Sequence, residues 1–217
     1  MKIINAVGNH FKEVGIKRLI SLVVGNMILG LGIAIFKFAG MGNDPFTAMA
    51  FATSDVAGVP YPRFIILVNL LFFAIELWGG RQYIGVGTLV NAVGLGYMVT
   101  FFYDLITKFI SLPTTFFTML ISMLVGVVIT GLGVSFYQTS DAGIAPFDSI
   151  SIIMTDKIKK IPYFWNRVFT DAVCALVTFI CGGLLGLGTL VCAFCLGPVV
   201  HFFNKHVSEK VIGHSIE

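Results

Sequence analysis

The sequence predicts an all-α membrane protein with about six transmembrane helices, arranged as two three-helix inverted-topology repeats that each include a short re-entrant or interfacial helix. Three observations predict this fold: the composition, an internal repeat and the distribution of basic residues. The 217-residue chain is 57% hydrophobic and 12% charged, with a mean hydropathy of +0.93. Soluble domains carry roughly 25% charged residues, so the composition excludes a water-soluble fold. The net charge of +3 gives no indication of nucleic acid binding.

An internal repeat relates the two halves of the chain at an offset of 101 residues. Glycines that stay in register over such a distance indicate one structural unit used twice. The matching segments are 30–33 (GLGI) and 131–134 (GLGV), 43–46 (NDPF) and 144–147 (IAPF), and 85–90 (GVGTLV) and 186–191 (GLGTLV).

Six segments are long and apolar enough to cross a bilayer, which takes about 20 residues of helix. They are 19–38, 63–80, 84–107, 116–138, 163–182 and 185–204. A further segment, 40–58 or 141–161, separates the first and second spans of each half. The predicted organisation is a cytoplasmic N-terminal segment (1–18), a first transmembrane repeat (19–110), a second repeat (111–205) and a cytoplasmic C-terminal tail (206–217).

The basic residues predict the orientation of the spans. With a cytoplasmic N-terminus, eleven of the 14 Lys and Arg residues lie in cytoplasmic segments and three lie outside, which is a clear positive-inside bias. Both termini are then cytoplasmic. Because each half has an odd number of spans, the second half enters the membrane in the opposite orientation, and 40–58 lies on the opposite side from 141–161.

A Pro-Phe turn begins each of the two extra segments. Asp44 can cap a helix and Pro45 suits its first position. In the second half Asp148 falls in the first turn, where the helix dipole favours an anion. We expect the two turns to approach each other and to bind a solute. The candidate ligand-binding residues are Asn43, Asp44, Pro45 and Phe46 in the first half and Pro146, Phe147 and Asp148 in the second.

The alternative for these segments is an amphipathic helix lying on the membrane surface. It is favoured for 150–161, where apolar residues recur at helical spacing and charged residues occupy the other faces. The predicted apolar stripe consists of Phe147, Ile150, Met154, Ile158 and Ile161.

Glycines in Gly-x-Gly elements precede each turn and open the third and sixth spans. They either let the backbone approach a solute or allow close helix packing. Asn91, one turn after Gly87, must find a polar partner within its span, which makes it a further candidate ligand.

Asp171 is the ionisable residue that lies deepest in a predicted span. Arg167 stands four residues earlier, on the same helix face. Ionisable groups at depth usually face a cavity or a partner. Two interpretations stay open: Asp171 couples ion or proton movement to transport, or it forms a structural pair with Arg167. Asn69 holds the corresponding place in the first half.

The sequence contains no pattern typical of an enzyme, a cofactor site or a metal site. Cys192 and Cys195 form a C-x-x-C, but they lie in an apolar, Gly-rich helix with no second pair, and packing explains them better than metal binding. No nucleophile–base pair or phosphate loop is present, and the G-x-G elements lack a Rossmann context.

The repeated turns and Gly-x-Gly-Thr elements resemble those of the YczE/YitT-like integral membrane proteins of bacteria. The resemblance is carried by 143–148 (GIAPFD), similar to the family's G-x-x-P-W-D turn, and by 186–190 (GLGTL) followed by Gly197-Pro198. Phe147 replaces the usual Trp, and the first-half copy departs further. The resemblance implies a multi-pass protein of the bacterial plasma membrane and implies no substrate.

The sequence favours a small transporter or permease with a solute site between two inverted repeats, near the bilayer midplane. The alternative is a non-transporting membrane subunit that docks or supports a larger complex or enzyme. The expected partners are the lipid bilayer and a small-molecule solute, and the sequence leaves a homodimer open.

Overall fold

The computed structural model describes residues 15–213, and this part of the chain is helical throughout, without strands. A short 3₁₀ turn, Arg81–Tyr83, joins the third helix to the fourth. In chain order the helices are α1 (Ile16–Ala39), α2 (Pro45–Ala57), α3 (Tyr61–Gly79), α4 (Val86–Phe109), α5 (Phe116–Thr139), α6 (Pro146–Lys157), α7 (Tyr163–Ile180) and α8 (Leu187–Ile212).

Five of these helices are long and apolar enough to cross a membrane: α1, α3, α4, α5 and α8. The sixth predicted span, 163–182, is also a helix. It forms α7, which has 18 residues but is less apolar than the other five because Asn166, Arg167 and Asp171 lie on it. The prediction of an all-helical protein is therefore confirmed for the described residues, and five of the six predicted spans have the length and composition of a membrane span.

Helices α1 and α5 form the centre of the fold, and glycines allow their backbones to touch. A methyl group at Gly25 would lie 2.5 Å from the Tyr137 nitrogen, and one at Gly133 would lie 2.3 Å from the Leu29 nitrogen. Close packing of this kind replaces the hydrophobic effect as the force that associates helices in lipid. Of the two interpretations of these glycines, the packing one describes what they do here.

The turn after α1 and the turn after α5 make equivalent contacts, 101 residues apart. The Gly188 nitrogen donates to the Met41 carbonyl at 2.8 Å, and the Gly87 nitrogen donates to the Ala142 carbonyl at 2.7 Å. Gly42 and Gly143, with φ of 94° and 112°, provide backbone conformations that other residues rarely adopt. Each turn therefore rests on the start of the last helix of the other half.

Helices α2 and α6 begin at the Pro-Phe turns as the sequence predicts. Pro45 and Pro146 occupy the first helical positions, and the Asp44 side chain accepts a hydrogen bond from the Thr47 nitrogen at 3.1 Å. Helix α2 packs against α7, and α6 packs against both α3 and α7. The two short helices thus hold the halves together.

The face that α6 buries differs from the predicted stripe. Its buried residues include Ser149, Ser151 and Ile153, and Ser151 shares a 3.1 Å hydrogen bond with Thr170 of α7. Ile158 is 42% exposed. Of the predicted stripe, Phe147 is buried at 3% exposure, and the helix ends at Lys157, before Ile158. The interpretation of 150–161 as a helix on the membrane surface stays a prediction.

The last helix also runs past its predicted end at residue 204, to Ile212. It continues through a π-helical turn at Asn204–Ser208. The Ser208 hydroxyl lies 2.6 Å from that of Ser135 on α5, and this buried hydrogen bond stabilises the extension. The start of the predicted C-terminal tail is therefore helical, while its end, 214–217, and the N-terminal residues 1–14 lie outside the described part of the chain.

Candidate functional site

A cavity of about 410 Å³ lies between α7 and α8 and extends to the starts of α2 and α6. Its walls are mostly apolar and include Phe164, Phe194 and Val200. The polar groups that reach it come from several helices and one turn, and they are concentrated where α2, α6 and α7 meet. They include Asp44, Asp148, Arg167, Asp171, His201 and Asn204.

Arg167 holds two of the acidic groups together. Its Nη1 donates to Asp148 Oδ1 at 2.7 Å, and its Nε donates to Asp171 Oδ2 at 3.3 Å. Its guanidinium carbon lies 4.9 Å from the centre of the Phe147 ring, which adds a cation–π contact. The pair with Asp171 that the four-residue spacing predicts is present, and Asp148 is a further partner from a different helix.

Asp148 is held from two directions. Arg167 donates to one carboxylate oxygen, and the buried Tyr137 hydroxyl of α5 donates to the other. Asp148 also lies in the first turn of α6, where the positive end of the helix dipole favours its charge. This carboxylate is thus fully committed to contacts within the protein.

The two Pro-Phe turns meet beside the cavity, which Asp44, Pro45 and Asp148 of these turns line. The rings of Phe46 and Phe147 stack with their centroids 4.3 Å apart and their planes 9° from parallel. Phe72 of α3 packs edge-on against both rings, at 5.9 and 5.6 Å. The predicted approach of the two turns is confirmed by this stack.

Asp44 and Asn43 have different roles although they are neighbours. Asp44 caps α2 and lines the cavity. Asn43 secures the turn: its Oδ1 accepts from the Asp44 nitrogen at 3.1 Å, and its Nδ2 donates to the Ile33 carbonyl at 3.3 Å. Pro45 also lines the cavity, whereas Asn43 and Pro146 shape the turns behind it.

Asn91 lies in a π-helical turn of α4, Val90–Gly94, beside a second cavity of about 70 Å³. Its Nδ2 donates to Asn26 Oδ1 at 3.0 Å, and Asn26 in turn donates to the Leu22 carbonyl at 2.9 Å. The expected polar partner in the span is therefore another asparagine. This small cavity also contacts Phe46 and Phe147, so it adjoins the acidic group from the side of α4.

Two cavity-lining residues carry buried oxygens without a hydrogen-bond donor among residues 15–213: Asp171 Oδ1 and Asn204 Oδ1. Asp171 is only 6% exposed. Buried polar atoms are nearly always paired in native proteins, and an unpaired one costs roughly 1–3 kcal/mol. Both residues line the cavity, but the two oxygens themselves are enclosed, so a donor reaches them only when the side chains turn toward the cavity.

Sequence reasoning did not identify five polar residues of the site, namely Tyr137, Gln138, Tyr163, His201 and Asn204. Tyr163 follows Pro162 as Tyr61 follows Pro60, and this match was available as a signal. Tyr137 lies in the polar run that ends α5 and looks like a helix terminus. Asn204 coincides with the predicted end of the last span, so nothing in its surroundings distinguished it from a boundary residue.

The acidic residues of the site lie near Arg167 and are not arranged as metal ligands. No group of three or more His, Cys, Asp or Glu within 15–213 is placed to hold a metal ion. In the C-x-x-C pair Cys192 is buried and Cys195 is exposed, an arrangement that fits helix packing.

Apolar helices of membrane-spanning length around a cavity with charged groups define an integral membrane protein. Residues 16–205 match the "Family of unknown function (DUF6198)", and the chain belongs to this family. This membership and the YczE relative described next confirm the YczE-like resemblance that the turns and Gly-x-Gly-Thr elements indicate.

Three relatives cover most of the chain. It is 28% identical to an "Uncharacterized protein" of Haemophilus influenzae, over 84% of this chain and 81% of the relative. It is 25% identical to "Uncharacterized protein YyaS" of Bacillus subtilis, over 87% of this chain and 93% of the relative. It is 24% identical to "Uncharacterized membrane protein YczE" of the same organism, over 82% of this chain and 81% of the relative. No solved structure matches the chain.

Proposed function

We propose that this protein is a small membrane transporter or permease whose solute binds between two inverted repeats, in the cavity between α7 and α8. The observation that carries the proposal is an asymmetry between two matching helix contacts. At Gly96 of α4 the contact with α3 is closed. At Gly197 of α8, 101 residues later, the contact with α7 is open.

The closed contact is tight. A methyl group at Gly96 would lie 2.5 Å from Ile65 Cγ2 and 3.1 Å from Pro62 Cα of α3. Around Gly197, by contrast, no atom of residues 15–213 outside its own helical neighbourhood lies within 4 Å of the same position. In alternating access, each state of the transporter has its binding site open to one side of the membrane and closed to the other.

The inverted repeat is supported by the way the halves interlock. The end of α1 contacts the start of α8, and the end of α5 contacts the start of α4. Along the packed pair of α1 and α5, Gly25 meets Tyr137 and Gly32 meets Thr130, so the two helices point in opposite directions. The stack of Phe46 on Phe147 lies where a pseudo-two-fold axis would pass.

The positive-inside bias assigns the open side to the cytoplasm. The cavity lies among the start of α7 and the ends of α5 and α8, which the basic residues assign to the cytoplasmic side together with both termini. The matching elements of the first half, around Gly96, then face outward and are closed. We therefore propose that the structure is an inward-open state in the bacterial plasma membrane, with Asp171 and Arg167 in the coupling role.

Disulfide trapping tests the proposal with matched pairs of cysteines in a background without the four native ones. The pair Pro62→Cys/Gly96→Cys reports the closed contact. The pair Phe164→Cys/Gly197→Cys reports the equivalent positions of the open contact. We expect rapid oxidation of the first pair and slower oxidation of the second, because the second pair meets only when the protein visits an outward-open state.

A static cavity would contradict transport. The cavity is static if the Phe164/Gly197 pair never forms a disulfide in membranes while the Pro62/Gly96 pair forms one completely. The protein would then be a fixed scaffold, as the docking-subunit alternative requires.

A further inference from the structure

We propose that the cavity takes an organic cation that carries N–H donors, such as a primary ammonium or a guanidinium group. This inference rests on the proposed transport function, because it names the class of solute for the same site. Four observations carry it: the charge of the cavity, its unpaired oxygens, the occupied helix N-termini and the nature of its walls.

The cavity has an excess of negative charge. Among residues 15–213, three carboxyl groups reach it, those of Asp44, Asp148 and Asp171, against the guanidinium of Arg167 and the imidazole of His201. Uncompensated charge is costly in a membrane interior, and a buried charge without a partner destabilises strongly. A bound cation compensates this excess, whereas a bound anion increases it.

The unpaired oxygens of the cavity are both acceptors. Asp171 Oδ1 and Asn204 Oδ1 are enclosed and lack donors within the described chain. Both residues line the cavity, so each oxygen meets a solute when its side chain turns toward the cavity. An ammonium carries three donors and a guanidinium carries up to five. A carboxylate or phosphate solute brings only acceptors and leaves both oxygens unpaired. A quaternary ammonium has the charge but no N–H to donate.

The groups that could attract an anion are already engaged. The Asp44 carboxylate caps α2, and Asp148 lies in the first turn of α6, so each helix N-terminus has an anion of its own. Arg167 is committed to Asp148 and Asp171 through two of its nitrogens and to the Phe147 ring through its face. Because acidic residues already occupy the positive N-termini of α2 and α6, the site favours a cation over an anion.

The walls favour an organic cation over a metal ion. The acidic residues reach a cavity of about 410 Å³, and within 15–213 they do not form a group of three donors placed for a metal. Aromatic side chains such as Tyr163, Phe164 and Phe194 line the same space. They can cover the apolar part of the solute and interact with its charge through their π faces.

Four probes of one shape test the assignment on the purified full-length protein. Benzylammonium is a cation with donors, benzyltrimethylammonium is a cation without them, benzyl alcohol is neutral, and benzoate is an anion. A ligand that binds only the folded state raises the unfolding temperature. We expect a concentration-dependent rise with benzylammonium, a smaller one with benzyltrimethylammonium, and none with the other two at equal concentration.

Asp171→Asn and the matched control Asp55→Asn locate the binding site. Asp55 is an exposed carboxylate at the end of α2, outside the cavity. We expect the apparent Kd of benzylammonium to increase about tenfold in Asp171→Asn, because one charge-assisted hydrogen bond is lost. The Kd should stay unchanged in Asp55→Asn.

Each other outcome overturns the cation assignment. One such outcome is stabilisation by benzoate or benzyl alcohol that is at least equal to that by benzylammonium. The others are an equal loss of benzylammonium affinity in Asp171→Asn and Asp55→Asn, and no rise in unfolding temperature with either cation. The disulfide pairs separate this failure from a failure of transport. If the Phe164/Gly197 pair still cross-links, the transport proposal stands and only the solute class is wrong.

Discussion

The contact between α3 and α4 and the contact between α7 and α8 occupy matching places in the two halves of the chain, yet only the first is closed. In the closed contact Asn69 Nδ2 of α3 donates to the Ala92 carbonyl of α4 at 3.1 Å. The matching residue of α7 is Asp171, which faces the cavity beside Ala193 of α8. An ionised carboxylate has no N–H to donate, so α7 cannot form this bond with α8.

The same comparison explains where the charges are. In the first half the positions that match Asp148, Arg167 and Asp171 are held by Thr47, Ile65 and Asn69. The first set is charged and lines the cavity, and the second set is uncharged and buried. The difference teaches that two matching segments of one chain give a closed contact where their residues are neutral and an open site where they are charged.

The largest effect is expected when the second half receives the residues of the first. Arg167→Ile removes the partner of both Asp148 and Asp171, and we expect a loss of about 3 kcal/mol in the free energy of unfolding. The triple variant Asp148→Thr/Arg167→Ile/Asp171→Asn carries the first-half set, and it should recover most of that stability while losing the response to benzylammonium. Unfolding in mild detergent measures both. A triple variant no more stable than Arg167→Ile alone would break the comparison.

Next in size is the effect of a methyl group at the two matching glycines. Gly96→Ala places a carbon 2.5 Å from Ile65 Cγ2, and we expect this overpacking to cost about 2 kcal/mol. Gly197→Ala meets open space and should be neutral or stabilising by up to about 1 kcal/mol, since alanine favours a helix over glycine. Thermal unfolding of the two variants side by side gives the measurement. Equal effects at the two positions would show that the contacts do not differ.

A smaller effect concerns Glu76 of α3 and its counterpart Thr178 of α7. Glu76 is fully buried, and neither carboxylate oxygen accepts a hydrogen bond of good geometry within 15–213, although the Ser149 hydroxyl lies within reach. The Ser149 hydroxyl beside it donates instead to the Pro146 carbonyl at 2.9 Å. We expect Glu76→Met to raise the free energy of unfolding by about 1 kcal/mol, because an apolar side chain of similar size removes the buried polar group.

Thr178 provides the control of opposite sign. Its hydroxyl donates to the Cys174 carbonyl at 2.8 Å, so Thr178→Val should lower the free energy of unfolding by about 1 kcal/mol. Denaturant titration of both variants checks the prediction. A loss of stability in Glu76→Met would assign Glu76 a partner or a role that the described residues do not contain.

The smallest effect sharpens the comparison directly. Asp171→Asn restores the donor that Asn69 uses, so it should allow α7 to bond to α8 and favour the closed form of this contact. One neutral hydrogen bond of about 1 kcal/mol shifts a two-state equilibrium about fivefold. We expect disulfide formation in the Phe164→Cys/Gly197→Cys pair to accelerate by that factor. An unchanged rate would mean that Asp171 does not hold the contact open.

That variant should change overall stability by less than about 1 kcal/mol. Arg167 keeps its 2.7 Å contact with Asp148, and the asparagine oxygen can still accept from Arg167 Nε. The interpretation of Asp171 as half of an isolated pair instead predicts a marked loss that Arg167→Gln would repair. Because Asp148 also depends on Arg167, we expect Arg167→Gln to destabilise further.

Much of the site could be predicted from local sequence. The starts of α2 and α6 follow from Asp44, Pro45 and Pro146, because capping and the fixed φ of proline are local properties. The pair of Arg167 with Asp171 follows from helical spacing. Tyr137 and Asn204 could not be placed in this way, since each meets the site only through the packing of α5 and α8 against other helices.

The sequence by itself determined the class of the protein, the places of its helices and the correspondence between its halves, because hydropathy, proline turns and glycine spacing act over a few residues of one chain segment. Only the tertiary structure decided that Asp44, Asp148 and Asp171 share one cavity and that α6 buries its serines. It also decided that the contact at Gly197 is open while the contact at Gly96 is closed. These outcomes depend on which side chains from different helices meet, and matching sequence segments do not specify which of two equivalent contacts is closed.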